Sequence, residues 1–293
     1  MDLGRLGVWY AADKLNPAQW KRFITTAEGL GYSTLWYSES RGFESMSLAS
    51  FLLAHSSTIK VGSSIASIYA RDAVASRAGM QTLNAVSGGR FILGLGVSHA
   101  PMVESFRGHA YGKPLSAMRH YLEQMHAGQN DAHDWPLALA ALGPRMLALS
   151  AEQTRGALPY NVTPEHTARA KAILGPDKWL VVEQKVCLET DAGTARALAR
   201  AELNRYMGLP NYRNCWLSLG FSEPELADGG NDRFIDAMVA WGGLQSIERR
   251  IAAHFDAGAT HVCIQPVHPA GDLDAAIRVL AALAPVHDNA APA

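Results

Sequence analysis

Several short apolar runs in this sequence end at residues that could take part in chemistry. The run GGRFILGLGVSH ends at His99, and STLWYSE ends at Glu39. An imidazole titrates near neutral pH and can accept or donate a proton, and a carboxylate can position one. We therefore treat both as candidate catalytic residues. The alternatives are that His99 orients a ligand by hydrogen bonding and that Glu39 pairs with Arg41 or Arg71.

Other common chemistries find little support. A metal-dependent barrel hydrolase needs converging histidines, but no HxH pair occurs, and the three cysteines lack CxxC spacing, so we predict neither a metal site nor a disulfide. No GxSxG motif indicates a serine hydrolase. Lys185 lies in the middle of the strand WLVVEQKVCLE, where an outward-facing salt bridge explains it as well as a Schiff-base role.

The segment AALGPRM could bind an anion. A strand ends at small residues, and Gly143 and Pro144 open a helix whose first backbone N–H groups can hold a phosphate, with Arg145 adding positive charge. An ordinary strand-to-helix turn with proline at the first helical position is the alternative.

Eight apolar strand candidates alternate with helices along the chain, which is typical of a parallel sheet covered by helices. The length suits a single (β/α)8 TIM barrel over residues 1–293, with a doubly wound sheet as the alternative. Residues 208–242 form an insertion before the last strand, with a helix over about Asp232 to Trp241, and 285–293 form a frayed tail. In such a barrel the site lies where the strands end.

Composition excludes several kinds of partner. The 26 Lys and Arg balance 27 Asp and Glu to a net charge of −1 and are scattered, so nucleic acid is not an expected partner. No run approaches a membrane span, and the N-terminus lacks the pattern of a secretory signal. We therefore expect a soluble, cytoplasmic protein.

The sequence resembles the luciferase-like monooxygenase superfamily, in particular its actinobacterial oxidoreductases that use the deazaflavin coenzyme F420. The resemblance rests on AEGLGYSTLWYSE, on IKVGSSIASIYARDAVASRAGMQTLNAVSGGRFILGLGVSH, on LAALGPRML and on DAGATHVCIQ. It extends from Leu6 to about Leu283.

The resemblance implies a barrel with an insertion, hydride transfer between F420 and a small organic substrate, and a homodimer. It implies a cis peptide between Ser64 and Ile65 beneath the deazaflavin ring, contact of the ring or phosphate with Val97 and Ser98, and a phosphate-binding turn. The cofactor residues of that turn and its helix start are Ala141, Leu142, Gly143, Pro144 and Arg145. Trp9, Tyr10 and Tyr69 would line the substrate pocket.

The resemblance has one clear departure. The sugar-phosphate dehydrogenases of the family have an acid after the fourth strand and an Asp-His pair after the second, where this sequence has His99 and the pair Glu39-Ser40. Glucose 6-phosphate oxidation is therefore not expected. Two other functions stay open, namely an FMN-dependent monooxygenase that uses oxygen and a flavin-binding barrel without turnover.

Overall fold

A computed structural model describes residues 1–130 and 132–285 of the chain. Its strand segments are β1 Leu6–Tyr10, β2 Thr34–Tyr37, β3 Lys60–Ser63, β4 Ala66–Ser67, β5 Phe91–Gly96, β6 Leu137–Leu139, β7 Gly156–Ala157, β8 Trp179–Cys187, β9 Val239–Trp241 and β10 His261–Pro266. Its α-helices are α1 Pro17–Gly29, α2 Ser45–Ala54, α3 Ala73–Ser87, α4 Pro114–His126, α5 Pro144–Gln153, α6 Pro164–Leu174, α7 Ala192–Met207, α8 Pro210–Ser218, α9 Asp232–Met238, α10 Leu244–Asp256 and α11 Leu273–Ala282.

The strands close into a barrel of eight. Every pairing is parallel, and β10 bonds to both β1 and β8, which closes the circle. The segments β3 and β4 are two halves of the third barrel strand, and β9 is an additional short strand paired with the carboxyl end of β8. The predicted (β/α)8 fold is therefore confirmed, and the doubly wound sheet is wrong.

Local signals in the sequence define the helices. Asn16 and Gln19 form a reciprocal capping box at the start of α1, where Pro17 takes the first helical position. The side chain of Asp72 caps α3, which ends at Gly88 in the left-handed conformation at φ 67°. These caps fix where each helix begins and ends, and hence how the strand ends before them are oriented.

Alternate residues of each strand serve two different parts of the core. On β1, Trp9 packs inside the barrel, whereas Val8 and Tyr10 pack between the sheet and the helices. The ring of Tyr10 lies 4.7 Å from that of Phe23 on α1. Tyr10 thus belongs to the outer core, which corrects its expected place in a substrate pocket.

The insertion differs in detail from the sequence expectation. Its helix α9 ends at Met238, and residues 239–241, predicted as its last turn, form the strand β9. Residues 239–241 pair with the edge of β8, which they could not do if the helix continued. Tertiary strand pairing therefore overrides the local helical pattern. Of the predicted tail at 285–293, positions 286 onward lie outside the described residues.

Candidate active site at the carboxyl ends of the strands

A close contact between the third, fourth and fifth barrel strands forms the first part of the site. The peptide bond between Ser64 and Ile65 is cis, as the family resemblance implies. A Cβ atom on Gly96 would come within 2.5 Å of the Ile65 side chain and 3.3 Å of the Ala140 Cβ. Only glycine therefore leaves room for Ile65 at this point, where β5 ends.

Glu39 does not offer a free carboxylate. Its two oxygens accept hydrogen bonds from the backbone N–H groups of Ser45 and Ser67, at 3.2 and 2.8 Å, and form an ion pair with Arg71. The side chain is 3% exposed. Glu39 thus ties the end of β2 to the segment that follows the cis bond, and of the two predicted ion pairs the one with Arg71 is present.

The loop after β5 is held in an unusual backbone conformation. Ser98 has φ 56°, in the left-handed region that non-glycine residues seldom adopt. Its carbonyl accepts a hydrogen bond of 3.1 Å from the Tyr111 hydroxyl, and the Tyr69 hydroxyl donates to the Tyr111 carbonyl. Tyr69 thus reaches this loop by way of Tyr111, and Val97 lies partly buried at its start.

His99 lies against the insertion. Its ring centroid is 5.7 Å from that of Tyr212, at the start of α8, and the side chain of the adjacent Asn211 also influences it. Burial lowers the pKa of His99, and the Asn211 side chain opposes that effect. The imidazole is consequently neutral at neutral pH, as a proton acceptor must be.

The turn before α5 has the features of an anion site. Gly143 and Arg145 are exposed, and Gly143 caps the helix without a side-chain hydrogen bond. No atom lies within 4 Å of the place where a Cβ on Gly143 would be. The preceding carbonyl of Leu142 is fixed by a hydrogen bond of 2.8 Å from the buried ring of His166. Sequence reasoning did not identify this histidine.

A buried charged cluster inside the barrel is the main feature that the sequence did not predict. Lys185 does not face outward, since its Nζ atom donates to Asn161 Oδ1 at 2.5 Å and lies 3.3 Å from both carboxylate oxygens of Glu183. It also lies 4.0 Å from the centroid of the Tyr160 ring. The expected outward salt bridge is wrong, because odd-numbered residues of β8 such as Val181 line the barrel interior.

Aromatic rings join these parts. Trp9 donates from its indole nitrogen to the Ser64 carbonyl at 3.3 Å and packs 5.0 Å from Tyr160. Tyr160 in turn lies 6.2 Å from Tyr212, which stacks on Trp216. Trp9, Tyr160 and Tyr212 thus form a row of aromatic rings. This row connects the cluster around Lys185 to the predicted residues at the ends of the first, third and fourth barrel strands.

Within the described ranges, no three His, Cys, Asp or Glu side chains converge as metal ligands would. In the same part of the chain, none of the helices combines the length and apolar character that crossing a bilayer requires. The three cysteines are free and buried.

Comparison with known proteins identifies relatives of this chain. A Mycobacterium tuberculosis protein named as a coenzyme F420-dependent oxidoreductase is 29% identical over 199 residues, which is 56% of this chain and 56% of that relative's length. The chain thus matches little more than half of this curated relative.

Solved structures share the fold at low sequence identity. The coenzyme F420-dependent tetrahydromethanopterin reductase of Methanopyrus kandleri has a TM-score of 0.72 at 17% identity, covering 96% of this chain and 98% of its own. An FMN-bound Baeyer-Villiger monooxygenase component from Pseudomonas putida has a TM-score of 0.68 at 13% identity, covering 97% of both chains. The model of the luciferase-like monooxygenase family matches residues 1–261. The chain therefore belongs to the luciferase-like monooxygenase family.

Proposed function

We propose that this protein is a coenzyme F420-dependent oxidoreductase that transfers a hydride between the deazaflavin and a small organic substrate. One observation carries the proposal. The Ile65 side chain and the Ala140 Cβ both lie beside Gly96, within 2.5 and 3.3 Å of the place that a Cβ on this glycine would take. The three segments that the family resemblance assigns to the cofactor therefore meet at Gly96. The name of the mycobacterial relative supports the choice of F420.

The residues present suit both the phosphate group and the ring of such a cofactor. The open helix start at Gly143 and Pro144, with the exposed Arg145 beside it, would hold a phosphate group. Ser64 and Ile65 would support the ring, and Val97 and Ser98 would meet its edge or phosphate. When bound, the deazaflavin supplies the hydride donor or acceptor.

His99 is the candidate for exchanging the proton that matches the hydride. Its neutral imidazole can accept a proton, and the ring of Tyr212 on α8 packs beside it. Glu39 acts as a positioning residue, because Arg71 and two backbone N–H groups engage both of its oxygens. Trp9 and Tyr69 are the remaining candidates for the walls of the substrate pocket. We also keep the homodimer as a prediction, to be checked by light scattering.

The experiment that tests this function is a binding titration of the purified protein with F420 and, separately, with FMN, followed by cofactor fluorescence. Ser98→Trp places a large ring in the loop after β5 and should abolish F420 binding. Ser50→Trp, at an exposed position on α2, is the matched control and should bind normally.

Three outcomes are decisive. F420 binding that is lost only in Ser98→Trp supports the proposal. Binding of FMN alone would overturn it in favour of the oxygen-using branch. If neither cofactor binds, an enzyme that depends on a flavin or deazaflavin is excluded.

A further inference from the structure

Few backbone donors are free at the turn between β6 and α5. The first N–H groups of a helix have no partner inside the helix. In α5, Pro144 has no N–H group, and the N–H group of Met146 donates to the Gly143 carbonyl at 3.1 Å. Among the described residues, the N–H groups of Gly143 and Arg145 therefore remain to bind a phosphate. One of the two belongs to the peptide that joins Leu142 to Gly143.

The carbonyl of that peptide is held by His166, at the start of α6. The Nε2 atom of the ring lies 2.8 Å from the Leu142 oxygen, and the side chain is 4% exposed. Because a carbonyl can only accept a hydrogen bond, Nε2 carries the ring proton and donates it. Burial lowers the pKa of His166, so the ring is neutral at neutral pH and Nδ1 carries no proton.

This hydrogen bond is the only one that the imidazole makes within the described part of the chain. The other ring nitrogen, Nδ1, is buried there without a partner. A buried polar atom without a partner destabilises a fold, and most such atoms are paired. The next buried positions on the same face of α6, Ala170 and Leu174, are apolar. A histidine at this place therefore indicates a role at the Leu142 carbonyl.

The geometry of the peptide bond transmits this contact to Gly143. The peptide between Leu142 and Gly143 is trans, and the C=O and N–H groups of a trans peptide point in opposite directions. Since the carbonyl points to the buried ring of His166, the Gly143 N–H points away from that ring. Gly143 is exposed, and no atom lies within 4 Å of the place that a Cβ on it would take. The N–H group thus has room for a ligand.

The other end of the same turn is fixed near the proposed ring site. The N–H group of Ala140 donates to the Leu95 carbonyl at 2.8 Å, and its Cβ lies beside Gly96. The turn is therefore held at both ends, at Gly96 and at His166. A phosphate bound to it would keep a fixed position relative to the ring, and such preorganisation strengthens binding.

We propose that His166 is a positioning residue for the phosphate group of the cofactor. This inference rests on the proposed function, in which F420 carries that phosphate. His166 does not contact the phosphate itself. It holds the Leu142 carbonyl, and in this way directs the Gly143 N–H to a phosphate oxygen. Without His166 this peptide would have to be ordered during binding, and the phosphate would be bound more weakly.

Two ligands separate phosphate binding from ring binding. The riboflavin analogue of F420 has the same ring and ribityl chain but no phosphate. His166→Leu removes the donor, so F420 should bind about ten-fold more weakly, whereas the analogue should bind within roughly two-fold of its wild-type affinity. His166→Gln should restore most of the F420 affinity, because the glutamine amide nitrogen can donate to the same carbonyl. Fluorescence titration measures all of these affinities.

His126→Leu is the matched control. His126 is also a partly buried histidine with an unpaired ring nitrogen, but it lies at the end of α4, on the opposite side of the barrel from the carboxyl ends of the strands. The ratio of its two affinities should equal that of the wild type. If His166→Leu loses affinity for both ligands alike, or for neither, His166 has a structural role and the proposal is overturned.

Backbone amide NMR tests the same contact without F420. Inorganic phosphate should shift the Gly143 amide signal in the wild type and in His166→Gln, and should shift it much less in His166→Leu. An unmoved Gly143 signal in the wild type, or equal shifts in all three proteins, would contradict the positioning role. Failure of the wild type to bind either deazaflavin would instead refute the proposed function, while the phosphate titration would still report on His166.

Discussion

Glu39 and Arg71 form an ion pair in which the carboxylate is almost fully buried and the guanidinium is 11% exposed. The same guanidinium also contacts the exposed Glu44 at 2.6 Å. Since the backbone N–H groups of Ser45 and Ser67 also donate to Glu39, one side chain connects the start of α2 to the segment that follows the cis peptide.

Replacing Glu39 should therefore be costly. Glu39→Gln leaves Arg71 with only its exposed partner and should lower the free energy of unfolding by about 3 kcal/mol, as for other broken buried pairs. Glu44→Gln, at the same guanidinium, should cost less than about 1 kcal/mol because its partner is solvated. Urea denaturation measures both values, and equal effects of the two variants would contradict this account.

Gly96→Ala should affect the cofactor site more than the fold. The new Cβ would come within 2.5 Å of Ile65, so the side chain must move, and overpacking of this kind costs about 1–3 kcal/mol. F420 affinity should fall by at least ten-fold in fluorescence titrations. Gly29→Ala on α1, where no atom lies within 4 Å of the added Cβ, is the matched control and should leave affinity unchanged.

Asn211 should set the protonation of His99. Its side chain raises a pKa that burial lowers, so Asn211→Ala should lower the pKa of His99 further. Histidine NMR titration measures this directly, with the exposed Asn204→Ala as control. If catalysis needs the neutral His99 ring, the acidic limb of the pH dependence of kcat/KM should move to lower pH in Asn211→Ala. An unchanged His99 titration would rule out a positioning role for Asn211.

Two buried histidines should make stability depend on pH. Burial lowers the pKa of His261 to about 4 and that of His254 to about 3. At His261 the geometry agrees, because Nδ1 donates to the Gly4 carbonyl, which leaves Nε2 to accept from the Trp36 indole at 3.3 Å and from the Thr34 hydroxyl at 2.8 Å. A proton on Nε2 would disrupt these two contacts.

The direction of this dependence follows from the two states. The unfolded chain binds protons at these histidines below about pH 6.5 and the folded chain does not, so stability is full above that pH. It should fall by up to about 1.4 kcal/mol per pH unit for each histidine between about pH 6.5 and 4. Urea denaturation at several pH values in this range measures how steeply stability depends on pH. This dependence should be weaker in His254→Gln and unchanged in His120→Gln, where the histidine is exposed.

The barrel could be predicted from the sequence because its signals are local. Apolar runs such as LGVWY and FILGLG became β1 and β5, and the Asn16 cap fixed the start of α1. The orientation of Lys185 could not be predicted in this way. Both faces of a barrel strand are buried, so the apolar pattern does not say which alternate residues face the interior.

The contacts of the site were harder to predict than its residues. His99 was identifiable at the end of a strand, but its partners Asn211 and Tyr212 belong to a weakly periodic insertion far along the chain. Nothing in the spacing of these residues indicates that α8 covers that strand end. Likewise, the local sequence predicts a helix at Val239, because its pairing partner on β8 is distant in sequence.

The helix α8 contacts two separate strand ends of the barrel, at His99 through Tyr212 and at the Asn161 carbonyl through Trp216. Neither contact can form until the ribosome has synthesised the chain well beyond the strands that carry His99 and Asn161. A growing chain that stops before α8 would have most of its barrel strands but an unfinished site. In this protein, completion of the candidate site is thus a late event in biosynthesis.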